Sequence, residues 1–409
     1  MISVTQAKEL ILQNTQDFGV EEVSFLEAEG SVLKEDIFAD RDFPPFNRVA
    51  MDGIAINYRF FEHGIRDFKI EGIQPAGSEQ ETMLNAAHCY EVMTGAVLPA
   101  NCDTVIRYED IVLNNGMATV LVDEIKEGKN IHTQGKDRSK GDILIKKNTI
   151  ITAAEIGVLA TVGKAIVKVA RLPKVMIVST GDELVEVEES PEAHQIRRSN
   201  VFTLVSLLKK LKISAETAHI TDEKEVLKEK IASFLKSYDV LLFSGAVSKG
   251  KFDFLPEVLE ELKVEKLFHK VAQRPGKPFW FGLAKDVEKT TISNTNKTVV
   301  FAFPGNPIST YVNCMVYFYE WYKKSVGIYH KAMTAILAEG VVFKPNLTYF
   351  LQVKLYNENG VLKAYPVKGN GSGDLASLVQ ADGFITLPKT ETLVFKKDTS
   401  FPVVLYRDL

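Results

Sequence analysis

Hydrophobic and polar positions along the chain fall into three patterns. From residue 174 onward, short unbroken apolar runs alternate with segments whose apolar residues recur every three or four positions. The runs at 174–179 (KVMIVS), 213–220, 239–243 (DVLLF), VEKLFHKV, PFWFGL and TVVFAF at 298–303 read as strands. The segments 200–211, 223–236, 254–263 and 308–324 read as amphipathic helices. That alternation predicts a doubly wound parallel α/β/α sheet, in which ligands sit outside the carboxyl ends of the strands. Residues 347–409 carry short β-rich runs (YFLQVKLY, VLKAYPV, GFITLP, FPVVLYR) broken by Gly, Asn and Asp turns, which predicts a C-terminal all-β domain. Residues 44–122 are also strand-rich and punctuated by Gly and Pro. Ser3 with Gln6 forms a capping-box pair ahead of an amphipathic helix, and Thr152 with Glu155 opens a short helix that Gly163 can close. The expected plan is a linking domain of 1–43 with 129–172, an inserted β domain at 44–128, an α/β domain at 173–327 and a β domain at 328–409.

Composition narrows the classes. A length of 409 residues fits two to four domains at about 150 residues each. With 45% hydrophobic and 25% charged residues, the chain has material for several cores and is not largely disordered. The net charge of −4 gives no global field for nucleic acid or an anionic membrane. Cys89, Cys102 and Cys314 cannot all pair and show no CxxC spacing, which argues against a disulfide framework and a structural zinc site. No apolar run reaches the ~18 residues of a membrane span, and the first residues lack the layout of a secretion signal. The expected location is cytoplasmic.

Five loops at strand ends carry candidate chemistry. STGDEL (179–184) offers Ser179, Thr180, the pliable Gly181, and two carboxylates, Asp182 and Glu183; a capping box from Thr180 to Glu183 explains the same spacing equally well. Asp222 follows the next strand, where a helix N-cap is the simpler reading. SGAVSKGKFD (244–253) begins with Ser244 and Gly245, can surround an anion with backbone N–H groups, and ends on Asp253, placed to hold a divalent cation on that anion. RPGKP sets Arg274 and Lys277 on a turn that could also be a solvated basic loop. PGNPIS carries Pro304, Gly305, Asn306 and Ser309 at the start of a helix. Together these loops point to one site for a phosphorylated ligand and a metal ion. Outside them, Asp52 before Gly53, Thr94, and Asp137 in GKD stand in turns of the β-rich region, where an Asp-Gly pair is most often only a hairpin turn. Neither HExxH metal spacing nor a GxSxG elbow is present.

The strings DFPPFNRVAMDGIA, MTGAVLPANCDTVI, STGDEL, SGAVSKGKFD, KVAQRPGKPFWFG, FPGNPIS and GSGDLASLVQADGFITLP together resemble the molybdopterin molybdenumtransferase family (MoeA and the related E domain of gephyrin). They stand in the family's order over roughly residues 3–390. The resemblance implies a four-part, elongated homodimer that inserts molybdate into adenylylated molybdopterin with Mg²⁺-assisted release of AMP, downstream of a molybdopterin adenylyltransferase. By motif match the functional acids fall on Asp52, Asp137, Glu183, Asp222 and Asp253, and the functional hydroxyl on Thr94. Mg²⁺ is assigned to Asp222 and Asp253 with Glu183, and molybdate to Arg274 and Lys277 with Ser309 and Ser372 as lesser donors. Asp52 and Thr94 are expected to complete the cleft from the partner subunit. The chain departs from the family pattern at Asn47-Arg48-Val49, at Ala246 in place of glycine, at Arg198 where an aspartate commonly precedes Ser-Asn, at Arg274 in place of lysine, and at Gln352 where a basic residue is usual. Two other readings remain: a molybdopterin adenylyltransferase, and a non-catalytic dimeric scaffold of the same fold.

Overall fold

The computed structural model describes residues 1–407 apart from 246, 248–252, 286, 290–296, 330 and 392. The apolar run at 174–179 is unbroken because its strand is covered on both faces. Strands β1 (Val175–Thr180), β2 (Ala215–Ile220), β3 (Val240–Ser244), β4 (Glu265–His269), β5 (Trp280–Ala284) and β6 (Thr298–Phe303) form one sheet in the order β2-β1-β3-β6-β5-β4. Along β1, Val175 and Ile177 enter one core, while Met176 and Val178 enter the other, as the alternation of side chains in a strand requires. The first core is shared with helix α1 (Asn200–Lys210) through Val201, Leu204 and Leu208, and with α4 (Pro307–Asn313) through Ile308 and Val312. Helices α2 (Lys224–Ser237) and α3 (Leu255–Glu261) cover the second face through Leu227, Ile231, Val258 and Leu259.

Strands β2, β1, β3 and β6 are parallel, but β5 runs antiparallel to both of its neighbours, so the sheet is mixed. The reason lies in the link between β4 and β5. It is too short for the dozen or more residues that a parallel crossover needs. The helix expected at 308–324 forms, and it contains a π-helical stretch at Cys314–Phe318 before continuing as Tyr319–Ser325.

Two compact units make up the chain. One comprises residues 1–34, 148–153 and 166–409; the other comprises 35–147 and 154–165. In the first unit, Ser3 and Gln6 close their capping box over the helix Val4–Gln13, and Val20–Ser24 pairs antiparallel with Ile166–Ala170. This unit also holds the C-terminal sheet. Thr348–Glu358, Val361–Pro366, Met333–Leu337, Ser400–Leu405 and Gly383–Leu387 follow one another, and the last pairs back onto the first, closing the sheet on itself. Only a four-residue helix, Ser377–Gln380, interrupts the β pattern among its described residues. The short strand Gln273–Arg274 joins this sheet beside Thr348–Tyr349, so the RPGKP turn leaves the α/β layer to pair with the C-terminal domain.

The second unit is built on a six-stranded sheet in the order Thr104–Arg107, Gly53–Ile56, Cys89–Val92, Asp67–Gln74, Met117–Val120 and Ile111–Asn114. Gly53 sits where a Cβ would lie 1.8 Å from the Ile106 carbonyl oxygen, so only glycine permits the strand pairing beside Asp52. Among the described residues, no helix is long and apolar enough to cross a membrane.

Candidate functional site

The carboxyl ends of β1, β3 and β6 open into a cavity of about 770 Å³. Its wall includes Ser179 and Thr180 at the end of β1 with Gly181 and Glu183 after it, Asp222 after β2, Ser244 at the end of β3 with Gly245 and Asp253 after it, and Pro304, Gly305 and Asn306 after β6. This is where an open α/β sheet places its ligands. Glycines let the turns approach each other. A Cβ on Gly245, at φ 112°, would lie 3.3 Å from the Thr180 hydroxyl, and one on Gly181, at φ 126°, would collide with the Glu183 carboxylate at 2.5 Å.

Both simpler readings of the acidic turns fail. No helix follows STGDEL; Leu184–Val185 instead pairs in parallel with Ile196–Arg197, so Thr180 and Glu183 cap nothing. The N-cap of α2 is Glu223, not Asp222. The Asp222 backbone N–H donates to Asp182 Oδ1 at 3.2 Å, linking two of the acidic turns. Burial raises the Asp222 carboxyl above the usual aspartate range, and the nearby Asp182, Glu183 and Asp253 charges push it further.

Other sequence candidates stand beside the cavity or elsewhere. Asp182, Arg274, Lys277, Ser309 and Ser372 are absent from its wall, although Gly181, Pro278, Pro307 and Gly373 belong to it. Ser372 accepts a hydrogen bond from the Asn306 side chain at 2.9 Å, which ties the C-terminal domain to the PGNP loop. Ser309 is buried within α4. The RPGKP turn exposes Arg274 and Lys277 and rests on buried polar groups. Gln273 Nε2 donates to the Pro275 carbonyl at 2.9 Å and to Asn313 Oδ1 at 2.7 Å, and the Tyr317 hydroxyl donates to Gln273 Oε1. Of the loop at 244–253, residues 246 and 248–252 lie outside the described residues.

Asp52, Thr94 and Asp137 belong to the second unit. Asp52 Oδ1 accepts from the Thr94 N–H at 2.6 Å and from its hydroxyl at 2.7 Å, and these bonds hold the Asp52 carboxyl below its usual range. Asp137 Oδ1 lies 3.0 Å from His132 Nε2.

Among the described residues, no three His, Cys, Asp or Glu side chains are grouped as a ready metal cage. The donor chemistry nevertheless suits Mg²⁺. That ion is usually held by one or two carboxylates, with substrate phosphate and water completing its shell. Asp222, crowded by like charges, is a group whose charged form a divalent cation would favour.

A curated relative from Synechocystis sp., named molybdopterin molybdenumtransferase, is 38% identical over 405 residues, which is 98% of this chain and 99% of the relative. The chain belongs to the molybdopterin molybdenumtransferase family. Family profiles match in succession: the MoeA N-terminal region (domain I and II) at residues 2–163, a probable molybdopterin binding domain at 176–321, and the MoeA C-terminal region (domain IV) at 334–400. A Bacillus subtilis relative of the same name is 32% identical, covering 87% of this chain and 83% of its own. The crystal structure of the molybdopterin biosynthesis MoeA protein from Pyrococcus horikoshii is similar over 100% of both chains, with a TM-score of 0.83 and 28% identity. Within this molybdenumtransferase fold, the polar cavity residues Arg197, Arg198, Ser199 and Asn200 were not among the sequence candidates: Arg198 was noted only as a departure, and the Asn200 side-chain amide donates to the Gly305 carbonyl at 2.7 Å. Their signal was the RRSN string ahead of a predicted helix at a strand-end cavity.

Proposed function

We propose that this protein is a molybdopterin molybdenumtransferase of molybdenum cofactor biosynthesis, which inserts molybdate into the dithiolene of adenylylated molybdopterin and releases AMP. The observation that carries this reading is the single cavity where the acidic turns after β1, β2 and β3 meet the PGNP loop. Family membership over nearly the whole chain supports it against the adenylyltransferase and scaffold readings.

Cleaving a phosphoanhydride depends on positioning and charge stabilisation more than on covalent chemistry. Asp222 and Asp253, with Glu183, would hold Mg²⁺, which when bound neutralises charge on phosphate oxygens. Thr180, Gly245 and Gly305 shape the floor against which the nucleotide portion rests. Arg274 and Lys277 attract the molybdate dianion through exposed cationic groups on a turn fixed by Gln273 and Asn313, and Ser309 and Ser372 are assigned as lesser donors. Asp52, Thr94 and Asp137 are assigned to the same reaction through the motif resemblance, within a homodimer acting downstream of an adenylyltransferase in the cytoplasm.

Supplying adenylylated molybdopterin, molybdate and Mg²⁺ should yield AMP and metal-loaded cofactor. Asp253→Ala should abolish Mg²⁺-dependent AMP release; undiminished release would remove that residue from the metal site. Formation of adenylylated product from ATP and molybdopterin would favour the adenylyltransferase reading instead.

A further inference from the structure

Arg198 is the only lysine or arginine that is buried among the described residues, at 7% exposure. Its backbone N–H donates to the Val185 carbonyl at 3.0 Å, and this fixes it just ahead of α1. Its side chain lies between two cavities, the active-site cavity of about 770 Å³ and a second of about 1200 Å³, and Arg197, Arg198 and Ser199 contribute to the walls of both. The guanidinium has one acidic partner: Nη1 donates to Glu186 Oε1, while the buried Nε finds no acceptor. An arginine fork with an unused donor inside a protein is costly unless something else completes it. Glu186 is a loose partner, with its side chain 48% exposed. Next to Arg198, Ser199 occupies the N-cap of the eleven-residue α1 without making a side-chain capping bond, so the helix's first amides and its positive dipole end adjoin the cavity.

We propose that Arg198 positions a phosphate of the nucleotide-bearing substrate at the start of α1, and that Glu186 is a placeholder counter-ion which the phosphate displaces. The inference rests on the functional reading above and deepens it by naming a phosphate subsite. The carboxylates of Glu183, Asp222 and Asp253 line the same cavity and would repel a phosphate dianion. A buried guanidinium offsets that repulsion and can bind two phosphate oxygens through its planar fork. Rotation away from Glu186 lets Nε and Nη share one phosphate, which satisfies the donor that is orphaned in the free protein.

Calorimetric titration of AMP, with inorganic phosphate as a second probe, tests this on the full-length protein and two variants. Arg198→Gln should weaken AMP about tenfold, the scale of a charge-assisted bond. Glu186→Gln should act in the opposite direction and tighten both probes about threefold, because the competing carboxylate is gone. If the ion pair only supports the fold, both variants will melt earlier and neither will alter affinity, which overturns the inference. Weaker AMP binding in Glu186→Gln overturns it as well. If Arg198→Gln fails to fold, the sign of the Glu186→Gln effect decides alone. Unchanged AMP affinity in Arg198→Gln with loss in Asp253→Ala removes this subsite and leaves the functional reading standing; no AMP binding by the unaltered protein removes both.

Discussion

Asp222 and Asp52 are both turn aspartates drawn from motifs, yet the two units of the chain treat them in opposite ways. In the α/β unit, Asp222 is partly buried among Asp182, Glu183 and Asp253, and its carboxyl is pushed up. In the other unit, Asp52 is satisfied by the Thr94 amide and hydroxyl, and its carboxyl is pulled down. A carboxylate surrounded by like charge gains from a cation, whereas one already holding two donors is oriented and ionised without help. Under the proposed function, the contrast fits Asp222 as a ligand for positive charge and Asp52 as a fixed anion or acceptor. Asp382 in the C-terminal sheet is the structural counterpart. Burial alone would raise it, but the Leu355 amide and the Lys354 ammonium outweigh burial and hold it below the usual range.

The largest effect should come from Asp222→Asn. Removing the charge proposed to hold the cation is expected to lower AMP release by about 100-fold or more, while the ligand-free protein melts at a higher temperature because the repulsion is relieved. A variant that is both inactive and less stable would break the contrast with Asp52. Next in size, Asp382→Asn should destabilise the protein by about 1–3 kcal/mol, since its oxygens accept the Lys354 and Leu355 donors in a buried site. Activity per folded molecule should not change. The sign follows from its lowered carboxyl: the stabilisation is present above the ordinary aspartate range and fades as pH falls through the folded value. The stability gap between variant and unaltered protein should therefore shrink below about pH 4, as denaturation at stepped pH would show. The smallest effect is Thr94→Val. Carboxyl NMR titration should find Asp52 moving only part of the way up toward its ordinary value, with little change in melting temperature, because the residue 94 amide still donates; an unmoved Asp52 would mean that the amide alone, and not the hydroxyl, holds it down.

Much of the α/β layer was legible in residues 174–325, because strands buried on both faces must read as unbroken apolar runs and their helices as amphipathic ones. TVVFAF forms the strand Thr298–Phe303 that its pattern predicts. The direction of β5 was not legible from apolar pattern, since periodicity carries no strand direction; only the short link before it constrains the pairing. The candidate acids were visible as turn residues, but spacing could not separate a cavity carboxylate from a helix cap. Arg198 was visible only as a departure from the family pattern, because sequence alone does not show that its guanidinium is buried.

Local chemistry thus wrote into the chain what depends on near neighbours: element type, the glycine turns at 181 and 245, the capping box at Ser3, and the pool of acids and cations. Tertiary packing decided what depends on distant neighbours. It joined Gln273–Arg274 to the C-terminal sheet, crowded Asp222 with like charges, gave Asp52 its Thr94 donors and sealed Arg198 between two cavities. The physical reason is that charge, desolvation and hydrogen-bond supply act through space, and only the folded chain brings residues tens to hundreds of positions apart within reach of one another.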